Sequence, residues 1–387
     1  MNVRGRIEVL SRRALGGGVL GMILSVVSAL VAREHFWPSY LFGFLFWLGL
    51  SLGSGGIVML HHLTGGRWGL TIRRILEAGM RTTPMMAVLF LPLFFGLSHL
   101  YEWTHAEAVA ADEVLRHKSR YLNVPFFSLR AAIYFAVWIG IAHFLTRWSY
   151  KQDRVGDPQL SRRLRALSGP GIVLYGGTIT FAAVDWAMSL EPHWYSTIYG
   201  IAFILGQALT ALAAAILVAA GLSRSEPLSR VATKETFHDL GNLLLAFVML
   251  WAYVAFSQFL IIWSGNLPEE IPWYLRRTRG GWKIVAVMLI LFHFAIPFLL
   301  LLSRAVKRNV QALAVLAGVI LILRVTDMYW IIMPAFEERG IGPHWSNAAA
   351  FVGIGGLWLA AWAREVQRHE FIPVYDPGVQ QVRAAHE

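Results

Sequence analysis

Residues 309–333, NVQALAVLAGVILILRVTDMYWIIM, form a run long and apolar enough to cross a bilayer, yet they contain Arg324 and Asp327. A helix needs about 20 apolar residues to span the roughly 30 Å hydrocarbon layer. An ionisable group placed there is costly unless it is paired or wetted, so it marks a functional candidate. The two charges stand three residues apart, on nearly one helix face, where an i,i+3 ion pair can form. This stretch therefore sets two expectations: a membrane-spanning helix, and chemistry inside the membrane.

Nine further stretches have the same character: 14–32, 41–62, 84–103, 126–148, 169–190, 197–220, 237–263, 281–303 and 346–366. The fold class expected is all-α integral membrane, a single polytopic domain over 1–387 with ten transmembrane helices. Composition agrees. Hydrophobic residues make up 56% and charged residues only 15%, against about 25% charged in soluble domains. The formal charge of +11 would suit nucleic acid, but the Lys and Arg lie in short connections between spans. That is a positive-inside distribution, and no nucleic acid partner is expected. Most of these residues fall on the side holding both ends of the chain, which places both termini in the cytoplasm. With no Cys, the chain offers no thiolate for an iron–sulfur cluster or a c-type haem.

A weak internal repeat is visible. Asp185 precedes Pro192 by seven residues and Asp327 precedes Pro334 by seven, in spans that run in the same direction four helices apart. This suggests two parallel four-helix bundles, 41–190 and 197–333, with 14–32 and 346–366 as peripheral helices. The glycines of the first two spans suit close helix packing.

Direction turns position into depth. Asp185 lies about 7 Å and Asp327 about 9 Å inside the outer ends of their spans, at about 1.5 Å per residue. Asp185 has no opposite charge at local helical spacing, so burial should bring it towards a protonatable range. His99 and Glu102 stand near the outer end of the third span and His293 near the middle of the eighth. His143, His61, His62, His238 and Asp239 belong to the inner half. Candidate proton-path residues are thus His99, Asp185, His293, Arg324, Asp327, His143 and Asp239. An apolar groove near His99 and Asp185 would suit a quinone. The histidines are dispersed in depth, which argues against a b-type haem and against a metal site.

Four stretches carry a resemblance: 181–197 FAAVDWAMSLEPHWYST, 61–68 HHLTGGRW, 121–127 YLNVPFF and, most specifically, 259–274 FLIIWSGNLPEEIPWY. From about residue 12 to 370 the chain resembles the NrfD/PsrC-like integral membrane proteins, and among them the ActF-type subunits of bacterial alternative complex III. These belong to quinol:cytochrome c, or quinol:electron acceptor, oxidoreductases of the bacterial inner membrane. The resemblance implies ten helices with two four-helix bundles. It implies assembly with an iron–sulfur protein, a sister NrfD-like quinone-binding subunit, c-type cytochrome subunits, small membrane subunits and a terminal oxidase. Haem and iron–sulfur clusters would reside in those partners, and a quinone or quinol is the ligand expected at the membrane. A proton-conducting core subunit, the quinol-oxidising subunit itself, a secondary transporter and a scaffold all stand as readings of the residues.

Overall fold

The structure is a computed structural model describing residues 3–337, 340–373 and 375–376. Among these residues there are helices and connections but no strand. Ten helices are long and apolar enough to cross a membrane: α1 (Arg4–Val31), α2 (Arg33–Thr64), α3 (Arg67–Phe95), α4 (Val124–Val155), α5 (Pro158–Leu190), α6 (Tyr199–Leu222), α7 (Lys234–Gly265), α8 (Trp282–Leu302), α9 (Val310–Ala335) and α10 (Trp345–Arg368). A backbone in hydrocarbon must satisfy its own hydrogen bonds, which is why the apolar runs become helices. Their ends carry familiar stop and start signals. Asn309 Oδ1 accepts from the Gln311 and Ala312 N–H groups (3.0 and 3.1 Å) at the start of α9, while left-handed Gly156 closes α4.

Several helices extend beyond the expected bounds, and the third span departs most from the sequence reading. The third runs over Arg67–Phe95 rather than 84–103. Its first part, Arg67–Met80, is amphipathic, so a hydropathy window assigns it to a loop. The charges it buries are paired instead with α4 and the C-terminal segment. His99 and Glu102 consequently lie beyond the end of this span, in the one-turn helix Leu97–Leu100 and the 3-10 turn Glu102–Thr104.

Helix α2 is buried almost throughout and packs on α3, α5, α6 and α10; α6 also touches α5, α7 and α9. The approach of α2 to α6 is set by Gly53, where an added Cβ would come within 2.1 Å of the Gln207 carbonyl oxygen. Outside this centre, α1 and α10 pack on one another through Gly18, Gly21, Gly353 and Gly356. Small residues let the backbones touch and gain dispersion contact that bulky side chains would prevent.

The two faces of the molecule are defined by contacts. On one, Arg4 at the start of α1 reaches Glu370, just beyond α10, at 3.8 Å. On the other, connections from four parts of the chain join: Lys118 Nζ donates to the Pro192 carbonyl (2.5 Å), His193 meets Asp112 (2.7 Å), and Ile341 N–H donates to the Gly280 carbonyl (3.0 Å). These are called the terminal face and the loop face below.

After α10 the chain straps back over the terminal face. His369 stacks on Tyr150 at 3.4 Å and Ile372 packs with Leu70, Leu228 and Val231. Burial, helped by the Arg74 charge, lowers the His369 pKa. The strap is therefore docked fully above the unfolded histidine value of about 6.5 and loosens as pH falls through the lowered folded value. Protection of the amides of residues 369–372 against hydrogen exchange, corrected for the intrinsic pH dependence of exchange, is expected to fall on acidification, and His369→Phe to abolish that fall; a protection factor independent of pH in the unaltered protein would contradict this.

Candidate functional site

Asp185 is fully buried near the loop-face end of α5. Its carboxylate takes Arg130 Nε on one oxygen and Arg130 Nη2 on the other, both at 2.8 Å, and accepts from Tyr134 Oη at 2.8 Å. Arg130 lies under the Tyr121 ring, 3.8 Å from its centre, and donates to the Tyr121 carbonyl at 2.9 Å. The expectation of an acid without an opposite charge is thus corrected: local helical spacing holds none, but the neighbouring helix α4 supplies one. A planar guanidinium clamped on both oxygens is the geometry that best compensates the desolvation of both groups. Trp186 beside it fills the space among Phe44, Phe90, Phe135 and Trp138, so this end of the first four spans after α1 is packed solid.

Asp327 and Arg324 pair along α9 as the sequence spacing anticipates. Arg324 Nε also donates to Thr210 Oγ1 on α6 at 3.2 Å. The guanidinium fits because residue 206 is glycine; a Cβ there would lie 2.2 Å from Arg324 Nη2. His293 is wholly buried in α8, where residues Leu289–Ala295 adopt a π-helical turn. Its ring meets the edge of Trp251 at 4.1 Å, and neither ring nitrogen has a hydrogen-bond partner among the described residues. Single-turn π segments insert a residue into a helix and recur at functional sites.

Here the packing is not solid. A cavity of about 860 Å³ runs between α7, α8 and α9. Its wall is predominantly aromatic and aliphatic, and its polar members include Asp327, Gln258 and Trp330. Tyr253, Phe256 and Ile290 on its rim are largely exposed and belong to membrane-spanning helices, so the opening is lateral, towards hydrocarbon.

The remaining predicted residues are scattered. His99 is exposed at the loop face and lies against Trp37, with ring centres 6.0 Å apart. His143 is exposed on the outward side of α4, and Asp239 is exposed beside His238 at 3.7 Å. His99 and Asp185 do not line the cavity; Asp327 does. Compared with known proteins, the chain matches no family model and no curated protein.

Two charge clusters were not foreseen. Near the terminal face, Glu77 is buried and bound by Arg73 Nε (2.9 Å), by Arg74 and by Ser149 Oγ (2.6 Å); Arg73 also reaches Asp376 (2.7 Å) and Arg74 reaches Asp153. The spacing Arg73-Arg74-x-x-Glu77 did advertise i,i+3 and i,i+4 pairs. At the loop face, Glu191 binds Arg277 (2.8 Å) and Arg276 (3.1 Å). Arg277 lies 3.7 Å over the Trp273 ring and donates to the Ile331 carbonyl (2.7 Å). Burial lowers the Arg277 pKa from its ordinary value, with Glu191 opposing the shift. Arg276 and Arg277 both serve this internal pairing.

Proposed function

We propose that the chain is a membrane core subunit of a respiratory quinol:cytochrome c, or quinol:electron acceptor, oxidoreductase of the bacterial inner membrane, oriented with both termini in the cytoplasm. Its own contribution is proton handling by carboxylates buried within the membrane. The observation carrying this reading is Asp327: a buried carboxylate, held by Arg324, in the wall of a cavity that opens to the bilayer. There it can exchange a proton with a group entering the cavity, while Arg324 stabilises the anion left behind and Thr210 keeps the guanidinium in place. His293 lies buried behind Trp251 of that wall, and neither of its ring nitrogens has a hydrogen-bond partner among the described residues.

In this reading α2–α5 and α6–α9 are parallel repeated bundles with α1 and α10 peripheral. Neighbour contacts that close each set of four support it, as does the equal Asp-to-Pro spacing. The repeats have diverged: Asp185 takes its arginine from the preceding helix, and Asp327 takes it from its own. Electron carriers belong to the iron–sulfur, cytochrome c and sister membrane subunits that the sequence resemblance implies. A lateral opening lined by aromatics favours an amphiphile over a water-soluble transport substrate.

The test uses intact complex in sealed vesicles. Asp327→Asn is expected to lower proton release during quinol turnover by roughly tenfold or more, as when a positioned proton acceptor is removed, and Asp327→Glu to restore most of it. Normal proton release and normal turnover in both Asp327→Asn and Asp185→Asn would end the proton reading.

A further inference from the structure

The terminal-face ends of α4 and α5 carry charge that the chain itself does not neutralise. Residues 147–165 hold six basic side chains, Arg147, Lys151, Arg154, Arg162, Arg163 and Arg165, all exposed. The two carboxylates of the stretch are already engaged: Asp153 binds Arg74, and Asp157 accepts from the Gln159 N–H at 2.8 Å. None of the six basic groups forms an ion pair among the described residues. Elsewhere on this face the pattern differs. Arg230 meets Glu226 at 2.8 Å, Arg308 meets Glu235 at 2.7 Å and Arg368 meets Glu365 at 2.7 Å.

Helix geometry gathers these groups into one patch. Arg147, Lys151 and Arg154 recur at i, i+4 and i+7, so they share the side of α4 opposite buried Ser149 and Gln152. On α5, Leu160 and Leu164 are buried, which turns Arg162 and Arg165 to the outer surface. Gln152 Nε2 donates to Ser161 Oγ at 2.6 Å and Trp138 Nε1 to Thr178 Oγ1 at 2.8 Å, so the two helices run side by side. Lys151 and Arg162 therefore flank the first of these contacts at one level. Arg165 Nε also reaches the His62 carbonyl at 3.4 Å, which fixes the guanidinium beside the end of α2.

Below the patch the same surface is apolar, with Phe144 on α4 and Val173 on α5 exposed. Helix α4 has 32 residues. At 1.5 Å per residue it is about 48 Å long, against a hydrocarbon layer of roughly 30 Å. Its basic end therefore rises through the headgroup layer, and partly buried Trp148 stands at the kind of boundary that indole rings favour. Phosphates occupy that height in any bilayer. Arginine pairs with phosphate through two parallel hydrogen bonds, and clusters of basic residues beside a spanning helix draw anionic lipid. An acidic protein would match the charge but not the apolar surface directly beneath it.

We propose that the α4–α5 hairpin binds anionic phospholipid, its phosphate held by Arg147 and Lys151 of α4 and by Arg162 and Arg165 of α5. The acyl chains lie against Phe144 and Val173. This requires only that the spans cross a bilayer, and it stands whatever reaction the chain serves.

The test uses the full-length protein, with the subunits that accompany it, in phosphatidylcholine vesicles containing a photoactivatable phosphatidylglycerol. Labels are expected on peptides covering 143–166, competed by unlabelled phosphatidylglycerol and not by phosphatidylethanolamine. Raising the salt from about 0.1 to about 1 M shortens the screening length from about 10 to about 3 Å and should weaken labelling several-fold. The triple change Arg147→Gln, Arg162→Gln and Arg165→Gln should reduce it by roughly tenfold or more. Arg13→Gln, Arg224→Gln and Arg304→Gln remove three exposed charges from other parts of the terminal face and should leave it essentially unchanged. Should the first triple not be recovered, the salt and competition results for the unaltered protein decide. Equal labelling by photoactivatable phosphatidylcholine, equal competition by phosphatidylethanolamine, or equal loss in both triples would overturn the site. So would carbodiimide cross-links from Lys151 to a carboxylate of an accompanying subunit without lipid label, an outcome that assigns the surface to an acidic protein.

Discussion

Arg130→Leu is expected to lower stability by about 3–5 kcal/mol, the penalty for leaving a buried charge without its partner. Asp185 is fully buried, and both of its oxygens are engaged by that one guanidinium. Tyr134 alone would remain to hold the anion. The substitution should therefore sharply reduce the amount of subunit recovered in membranes and lower the temperature at which the solubilised complex loses its helical signal. The paired change Arg130→Leu with Asp185→Leu should recover most of that loss, because an apolar pair has no desolvation to compensate. Equal damage from the single and double changes would show that the ion pair is not the source of the effect.

The second large effect is expected at Gly53. Its missing side chain allows α2 to touch the α6 backbone, and a Cβ would sit 2.1 Å from the Gln207 carbonyl oxygen and 2.5 Å from its carbon. No rotamer relieves a clash with backbone, so the helices must separate. Gly53→Val should cost about 3 kcal/mol or more, at the upper end of overpacking penalties. Gly176→Val, where nothing lies within 4 Å, should cost less than about 1 kcal/mol. Comparing the two by thermal unfolding of the solubilised protein isolates the contact from the general effect of a β-branched residue in a helix.

The helices and their number were legible because hydrocarbon permits so few backbone conformations. The third span was misplaced by the same logic: hydropathy rewards apolar runs, and Arg73, Arg74 and Glu77 made a true helix read as a loop. Their pairing was visible in the spacing, but their burial depends on Ser149 and Asp153 of α4. Arg130 illustrates the opposite case. It sits inside an apolar span at about the depth of Asp185, and matching charges by depth across spans would have found the pair. Arg324 and Asp327 needed no such comparison, since they share a helix.

What the sequence determined by itself was everything governed by one helix or by the bilayer: ten spans, the Arg324–Asp327 pair, and carboxylates where charge is expensive. Tertiary structure decided which charges meet and where space remains. His99 and His143 turned outward, while Asp327 came to border the cavity between α7, α8 and α9 and His293 was buried against Trp251. The reason is that a helix fixes only the rotation between its own residues. Which face turns inward depends on steric fit between helices, such as Gly53 against α6 and Gly206 beneath Arg324, and that fit exists only when the helices are assembled.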